Sequence, residues 1–170
     1  MTPARTRNAA LEAMIGRILT ENHYTIACAE SCTGGLLTSR LTDVPGSSVY
    51  VKGSIISYTN EVKINLLNVN PKTIEKFEVT SKETAIEMAE GVRNLLKTNI
   101  GVGITGIAGP TGSTEKSPVG FVYMAIAGSN GSIAEEYHLM GNRQEIKWQA
   151  TEAALMMIRT YLLENSTENI

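Results

Sequence analysis

The sequence predicts an α/β fold in which helices cover both faces of a mixed, mostly parallel sheet. Helix-like and strand-like segments alternate along the first 105 residues, which favours parallel strands connected by helices. Over 118–139, two strand-like segments are instead joined by Gly128-Ser129-Asn130-Gly131, a turn typical of an antiparallel hairpin. No repeat, linker or low-complexity block interrupts this order, so we expect a single domain over 1–170.

The composition indicates a globular domain and argues against a nucleic-acid partner. The 170 residues are 42% hydrophobic and 19% charged, which suits one substantial core. With 15 basic and 17 acidic residues the formal net charge is -2, whereas nucleic-acid binders usually show a basic face. A small anionic ligand is compatible with this balance, because a pocket needs only one or two cations.

The sequence lacks the signals typical of export, membrane insertion and metal binding. No apolar stretch reaches the roughly 18 residues of a membrane span, and the arginines near the start are not followed by an apolar segment. The only cysteines, Cys28 and Cys32, lack the CxxC spacing and are interpreted as reduced thiols of a cytoplasmic protein. His23 and His138 have no neighbouring ligand cluster, so we expect no metal.

Periodicity predicts the elements of the first third of the chain. A helix over 9–21 carries apolar residues at i, i+3, i+4 and i+7. The apolar run 24–29 predicts a buried strand, and a helix over 34–42 follows its turn. The composition of 49–59 then predicts a second strand.

Capping residues predict the helices of the rest of the chain. Asn60 is a candidate N-cap for a short helix through 63–67. Proline at the first position favours a helix over 71–77, and a capping box at Thr80 opens a helix to about residue 97. The remaining predicted elements are strands over 100–105, 118–127 and 132–139, and a last helix that Asn142 caps.

The stretch Cys28-Ala29-Glu30-Ser31-Cys32-Thr33-Gly34-Gly35 marks the end of the first strand and the start of a helix. A hydroxyl at such a corner lies beside unpaired backbone N–H groups and the positive end of a helix dipole. Anions bind there, and oxyanions can be stabilised there. We therefore take Ser31 as the candidate nucleophile, with Thr33, Gly34 and Gly35 as candidate substrate contacts.

A serine nucleophile needs a base, and Lys63 is the candidate. Neither histidine is placed by a motif, whereas a lysine can act once burial or a nearby cation lowers its pKa. Tyr58 could relay a proton or orient the amine, in a Ser–Lys variant of the catalytic triad. From spacing alone, the simpler alternative stays open: Lys63 as a solvated helix lysine and Ser31 as a helix-start cap.

A second glycine-rich turn, Thr105-Gly106-Ile107-Ala108-Gly109-Pro110, also follows a predicted strand. Two such turns can share a crevice at the carboxyl edge of a sheet, and glycines let backbone N–H groups approach a phosphate or a sugar closely. Thr105, Gly106, Ala108 and Gly109 are therefore candidate substrate contacts. An ordinary tight turn is the alternative, and no Gly-Lys-Ser/Thr follows to make it a Walker A loop.

Three further residues could face the same pocket. Lys116 could present a cation from the loop before a strand, and Arg143, at the start of the last helix, could reach a phosphate. Ser48 could supply a hydroxyl from the turn 45–48. Each also has a simpler interpretation as a loop, surface or turn residue.

Taken together, five motifs in this order resemble a known family. They are Ala29-Glu30-Ser31-Cys32-Thr33-Gly34-Gly35, Pro45-Gly46-Ser47-Ser48, Tyr58-Thr59-Asn60 with Lys63, Gly106-Ile107-Ala108-Gly109-Pro110 and Lys116-Ser117-Pro118-Val119-Gly120. Over about 11–163 the chain closely resembles the CinA C-terminal domain family, which includes the nicotinamide-nucleotide amidohydrolases, or NMN deamidases. Longer members carry an N-terminal molybdopterin-binding-like domain, and this chain resembles the stand-alone form.

The resemblance implies a three-layer α/β/α sandwich that hydrolyses the carboxamide of nicotinamide mononucleotide (NMN) to nicotinate mononucleotide and ammonia. No cofactor or metal is implied. By motif, Ser31 corresponds to the nucleophile, Lys63 to the base and Tyr58 to the tyrosine grouped with them. The substrate contacts that it implies are Ser48, Asn60, Thr105, Gly106 and Arg143.

A binding module of a different class is the alternative to an enzyme. It would be a non-catalytic nucleotide-binding or competence-related regulatory domain that uses the same pocket. For either reading we expect a small-molecule nucleotide partner, no nucleic acid and no membrane, and a homodimer is possible.

Overall fold

The computed structural model describes residues 9–166 of the chain. Its helices are α1 (Ala9–Glu21), α2 (Leu36–Thr42), α3 (Asn60–Leu67), α4 (Pro71–Phe77), α5 (Lys82–Leu96) and α6 (Arg143–Ser166), with a short 3-10 helix at Ser47–Val49. Its strands are β1 (Ile26–Glu30), β2 (Val51–Ile56), β3 (Ile100–Gly106), β4 (Phe121–Gly128) and β5 (Gly131–His138). The predicted helix over 71–77 is confirmed at both ends, and the predicted helix over 9–21 is confirmed at its C-terminal end.

The five strands form one mixed sheet in the order β2-β1-β3-β4-β5. β1 pairs in parallel with β2 and β3, whereas β4 pairs antiparallel with β3 and β5. The mixed, mostly parallel sheet and the hairpin are confirmed: β1, β2, β3 and β5 run in one direction and β4 runs against them, so that two of the four pairings are antiparallel. The reason is that 107–120 contains no helix, so β4 returns directly alongside β3.

Helices cover both faces of the sheet, which confirms the three-layer α/β/α arrangement. α1, α2 and α6 pack on one face, and α3, α4 and α5 pack on the other. Successive side chains of β1 point to opposite faces of the sheet. Cys28 lies in the core formed with α1, α2 and α6, whereas Ala27 and Ala29 lie in the core formed with α5. Among the helices of residues 9–166, none has both the length and the apolar character needed to cross a bilayer.

Glycines in β3 let α5 lie very close to the sheet. A β-carbon at Gly101 would be 2.1 Å from the carbonyl oxygen of Ala89, and one at Gly103 would be 2.3 Å from that of Ala85. Any larger residue would push α5 away. The close packing fixes the segment just before α5, which reaches the carboxyl end of β3.

In two helices the N-cap lies one residue away from the predicted one. Thr59, not Asn60, caps α3, and its hydroxyl oxygen accepts a hydrogen bond from the backbone N–H of Val62 at 3.4 Å. Ser81, not Thr80, caps α5, where its hydroxyl oxygen accepts a backbone N–H at 3.2 Å. In both cases two adjacent residues are suitable caps, so the pattern alone does not distinguish them.

A buried ion pair joins the three helices of one layer. The guanidinium of Arg40, which is 2% exposed, donates from Nε to Glu12 of α1 at 2.8 Å and from Nη1 to Glu152 of α6 at 2.5 Å. It also lies 4.8 Å from the ring centroid of Trp148. Because buried charges require partners, this cluster restrains α2, whose first residues follow the turn after β1.

Candidate active site

Ser31 lies at the carboxyl edge of the sheet, immediately after β1. Its backbone N–H donates to the carbonyl of Ile104 at 3.0 Å, which holds the serine beside the end of β3. The residue is 9% exposed, so the hydroxyl is sheltered but borders an open cavity. The predicted corner between strand and helix is therefore present, and the serine lies at its apex.

Lys63 reaches this serine from α3, on the opposite side of the same edge. The side chain is only 1% exposed, and its Nζ donates to the Ser31 Oγ at 3.2 Å and to the carbonyl oxygen of Ser57 at 2.6 Å. Burial lowers the pKa of the Lys63 amine from 10.5 to about 8. The amine is thus within hydrogen-bond distance of the nucleophile and is neutral in an appreciable fraction of molecules near neutral pH.

The neighbouring thiol of Cys32 is a poor competitor for the role of nucleophile. Burial is the main cause that raises the pKa of Cys32, to about 12. The thiol is therefore protonated at neutral pH, and a protonated thiol is a weak nucleophile. This leaves Ser31 as the activated group at the corner.

A cavity of about 310 Å³ opens in front of Ser31 and Lys63. Both glycine-rich corners contribute to its wall, as expected for two turns at one sheet edge. Nine of the predicted site residues line it: Ser31, Tyr58, Asn60, Lys63, Thr105, Gly106, Ala108, Gly109 and Arg143. The Thr105 hydroxyl also donates to the carbonyl of Val79 at 2.9 Å, which ties the end of β3 to the segment before α5.

Arg143 and Tyr58 meet at the mouth of the cavity. The Arg143 guanidinium donates from Nη2 to the Tyr58 hydroxyl oxygen at 2.5 Å and from Nη1 to the carbonyl of Gly109 at 2.8 Å. The Tyr58 side chain is 56% exposed. Its hydroxyl therefore lies at Arg143 in this structure, and the described residues show no hydrogen bond between Tyr58 and Lys63.

Five predicted contacts lie outside this cavity. Thr33, Gly34 and Gly35 line a neighbouring cavity of about 510 Å³ together with Lys147, and Lys116 lines a third cavity beside β4 and β5. Ser48 is exposed in the 3-10 helix before β2. Because β2 runs parallel to β1, a residue that precedes β2 lies at the sheet edge opposite to Ser31.

Glu30 is a residue of the site to which the sequence reasoning gave no role. It is fully buried at the end of β1, and its carboxylate accepts five hydrogen bonds from the turn and the first residues of α2. The available signal was an acidic residue closing an otherwise apolar strand, directly before the candidate nucleophile. Such a residue is either exposed or fully hydrogen-bonded, and here it is the latter.

The electrostatics of the cavity favour an anionic ligand. Within the described part of the chain, its lining includes the cations Lys63 and Arg143 and no acidic side chain. Over residues 9–166, no group of three or more His, Cys, Asp or Glu side chains is arranged to hold a metal ion. The arrangement can therefore activate a hydroxyl nucleophile beside an anion held by Arg143.

Comparisons with known proteins agree with this architecture. A CinA-like protein of Sulfurihydrogenibium is 46% identical over 160 residues, which is 94% of this chain and 40% of that protein. A CinA-like protein of Koribacter versatilis is 45% identical over 158 residues, or 93% of this chain and 38% of that protein. The chain thus spans about two fifths of the length of the curated relatives it matches.

Solved structures of similar length share the fold. The competence/damage inducible protein CihA of Agrobacterium tumefaciens superposes with a TM-score of 0.85 at 34% identity, covering 94% of this chain and 98% of that one. A competence or damage-inducible protein of Enterobacter asburiae gives a TM-score of 0.88 at 27% identity, covering 91% and 97%. The model of the CinA C-terminal domain matches residues 8–162. The chain therefore belongs to the CinA C-terminal domain family.

Proposed function

We propose that the chain is an amidohydrolase that converts nicotinamide mononucleotide to nicotinate mononucleotide and ammonia. The observation that carries the proposal is the 3.2 Å contact between the Lys63 Nζ and the Ser31 Oγ, made by an amine that is 1% exposed. A solvated surface lysine, the simpler reading of the sequence, does not have this geometry. The choice of substrate comes from the family resemblance, and the cationic lining of the cavity supports it.

In the first half of the reaction, Ser31 forms an ester with the substrate acyl group. Neutral Lys63 accepts the proton of the Ser31 hydroxyl while the Oγ attacks the carboxamide carbon. Backbone N–H groups stabilise the oxyanion, and loss of one such donor typically costs ~3 kcal/mol of barrier. The C–N bond then breaks, and the proton held by Lys63 passes to the leaving nitrogen, which departs as ammonia.

In the second half, water releases the acid. Lys63, neutral again, takes a proton from a water molecule that attacks the ester carbon. The ester C–O bond breaks, and the proton returns to the Ser31 oxygen. The Lys63 amine therefore serves both steps and ends in its starting state, so no cofactor is consumed.

The substrate is oriented by the cation at the cavity mouth. The Arg143 guanidinium is held by the carbonyl of Gly109 and by Tyr58, so it is positioned before a ligand arrives. A phosphate bound there would receive charge-assisted hydrogen bonds. The pyridinium ring, which is itself positive, would then lie toward Lys63 and favour the neutral form of the amine.

Ammonia release from NMN tests the proposal. We expect the wild-type protein to release one ammonia per nicotinate mononucleotide, and Ser31→Ala to release none while it folds normally. Ser39→Ala, which removes an exposed serine hydroxyl from the adjacent helix, is the matched control and should retain activity.

A thermal-shift measurement on the same samples distinguishes the enzyme from the alternative, a nucleotide-binding module without catalytic activity. If NMN raises the Tm of the wild-type protein but no ammonia appears, the chain is a nucleotide-binding module and not an amidase.

A further inference from the structure

Glu30 is a fully buried carboxylate to which the reaction above gives no role. Its Oε2 accepts hydrogen bonds from the Thr33 hydroxyl at 2.7 Å, the Gly35 N–H at 3.0 Å and the Leu37 N–H at 3.1 Å. Its Oε1 accepts from the N–H and the hydroxyl of Thr38, at 2.9 and 2.7 Å. All five donors belong to the turn after Ser31 and the first residues of α2. The carboxylate therefore fixes the shape of this corner from inside the protein.

These bonds use up the amide donors at the start of α2. Besides the three that donate to Glu30, the Gly34 N–H donates to the carbonyl of Ser31 at 3.1 Å, and the Leu36 N–H donates to that of Thr33 at 3.3 Å. Neither glycine N–H of the corner is left for a substrate. Within residues 31–38, only the N–H groups of Cys32 and Thr33 donate to no oxygen of the described chain.

Cys32 directly follows the nucleophile and lines the same cavity, whereas Thr33 is fully buried and lines the neighbouring one. At a strand-to-helix corner, the N–H of the residue after the nucleophile is well placed to stabilise the oxyanion. We propose that Glu30 is a positioning residue for the amide hydrolysis: it holds the corner so that the N–H of Cys32, a residue that lines the cavity beside Ser31, faces the carbonyl attacked by Ser31. This inference rests on the proposed function and adds the residue that orients an oxyanion donor.

The same bonds also limit where a substrate phosphate can bind. The start of α2 is already neutralised by the internal carboxylate, so its amides do not attract a second anion. In the cavity in front of Ser31, Arg143 is the cation besides the base Lys63 that can hold the phosphate. The reacting carboxamide is therefore expected beside Ser31 and the phosphate at Arg143, because Glu30 already occupies the N–H donors at the start of α2.

The substitution Glu30→Gln tests this role with little change in shape. It replaces one acceptor oxygen by an NH₂ group that faces backbone N–H donors, so at least one of the three backbone N–H bonds is lost. We expect the kcat of ammonia release to fall about tenfold to a hundredfold, because the donors lose their orientation. The KM should change less than about twofold, since Arg143 is unaffected.

Glu12→Gln is the matched control. Glu12 is also a buried carboxylate, 1% exposed, but it bonds Arg40 within the helical layer and does not line the cavity. We expect this variant to lower the Tm and to leave kcat unchanged. If Glu30→Gln lowers the Tm in the same way and retains the wild-type kcat, Glu30 is only structural and the inference is overturned.

A second readout does not depend on NMN. With a fluorophosphonate, the Ser31 Oγ attacks phosphorus, the P–F bond breaks, fluoride leaves and the serine proton passes to Lys63. The phosphoryl oxygen requires the same N–H donor, so the rate of adduct formation, followed by mass spectrometry, should fall in Glu30→Gln but not in Glu12→Gln. If the wild type is labelled at Ser31 but releases no ammonia, the NMN assignment is wrong while the labelling rates still decide the role of Glu30.

Thr33→Val provides the test if Glu30→Gln does not fold. It keeps the side-chain volume and removes only the 2.7 Å hydroxyl bond to Glu30. We expect a few-fold loss of kcat and of labelling rate with a folded protein. Wild-type values of both rates would overturn the inference.

Discussion

The lowered pKa of Lys63 gives the clearest quantitative expectation. Burial brings it from 10.5 to about 8, so about one molecule in eleven carries the neutral amine at pH 7, against about one in three thousand for an unperturbed lysine. The gain in active base is about 300-fold, equivalent to ~3 kcal/mol. Because the neutral form is the active one, kcat/KM should rise with pH, about tenfold from pH 7 to a plateau above pH 9.

The assay is the initial rate of nicotinate mononucleotide formation, measured chromatographically between pH 6 and pH 10. Lys72→Met, which removes an exposed lysine from α4, should keep the same pH profile. A rate that falls as pH rises through 8, or a midpoint near 10.5, would refute the assignment of Lys63 as a buried base.

The same shift has a consequence for stability that needs no substrate. The pKa of Lys63 is lower in the folded state, so between about pH 8 and 10.5 the unfolded state binds more protons, and this residue's contribution to stability rises with pH. Below pH 8 both states are protonated and the folded state carries the full burial penalty. Lys63→Met removes this titration, so its stability relative to wild type should decrease by up to ~3 kcal/mol from pH 7 to pH 10.5 in urea unfolding. An unchanged difference would contradict the lowered pKa.

Three further outcomes are expected. Lys63→Arg should lower ammonia release to the Ser31→Ala level, because arginine does not deprotonate; a retained pH-dependent rate would exclude the lysine base. Arg143→Gln should raise the KM for NMN about tenfold to a hundredfold with a smaller change in kcat, since a charge-assisted contact is worth about 1.5–3 kcal/mol; an unchanged KM would place the phosphate elsewhere. Gly103→Ala should lower the unfolding free energy by about 1–3 kcal/mol in denaturant titration, because its β-carbon would lie 2.3 Å from the Ala85 carbonyl oxygen; wild-type stability would show that α5 yields easily.

Most elements of the fold follow from local sequence patterns. The helices over 9–21 and 71–77 were predictable because their stripes or caps are unambiguous, and the hairpin because glycines flank its turn. The antiparallel pairing of β3 with β4 was not predictable, because no local sequence pattern shows the direction of a strand that follows a loop without a helix. The caps at Thr59 and Ser81 were displaced by one residue because each has an equally suitable neighbour.

The location of the site was predictable from the ends of the strands. The contacts that depend on the direction of individual side chains were not. Two strand-to-turn corners implied one shared crevice, and Ser31 and Lys63 do meet there. Periodicity does not show that Glu30 turns inward and takes the helix-start donors, so Gly34 and Gly35 looked available for substrate. Ser48 was grouped with the site by motif, whereas the direction of β2 places it at the far edge.

The ester on Ser31 is the most direct measure of the central claim. Wild-type protein would be mixed with NMN labelled at the carboxamide carbon, quenched in acid within one turnover and digested for mass spectrometry. We expect the label on the peptide that contains Ser31, at the serine oxygen, and none in Ser31→Ala. Label attached to Cys32, or to any peptide that lacks Ser31, would contradict the account.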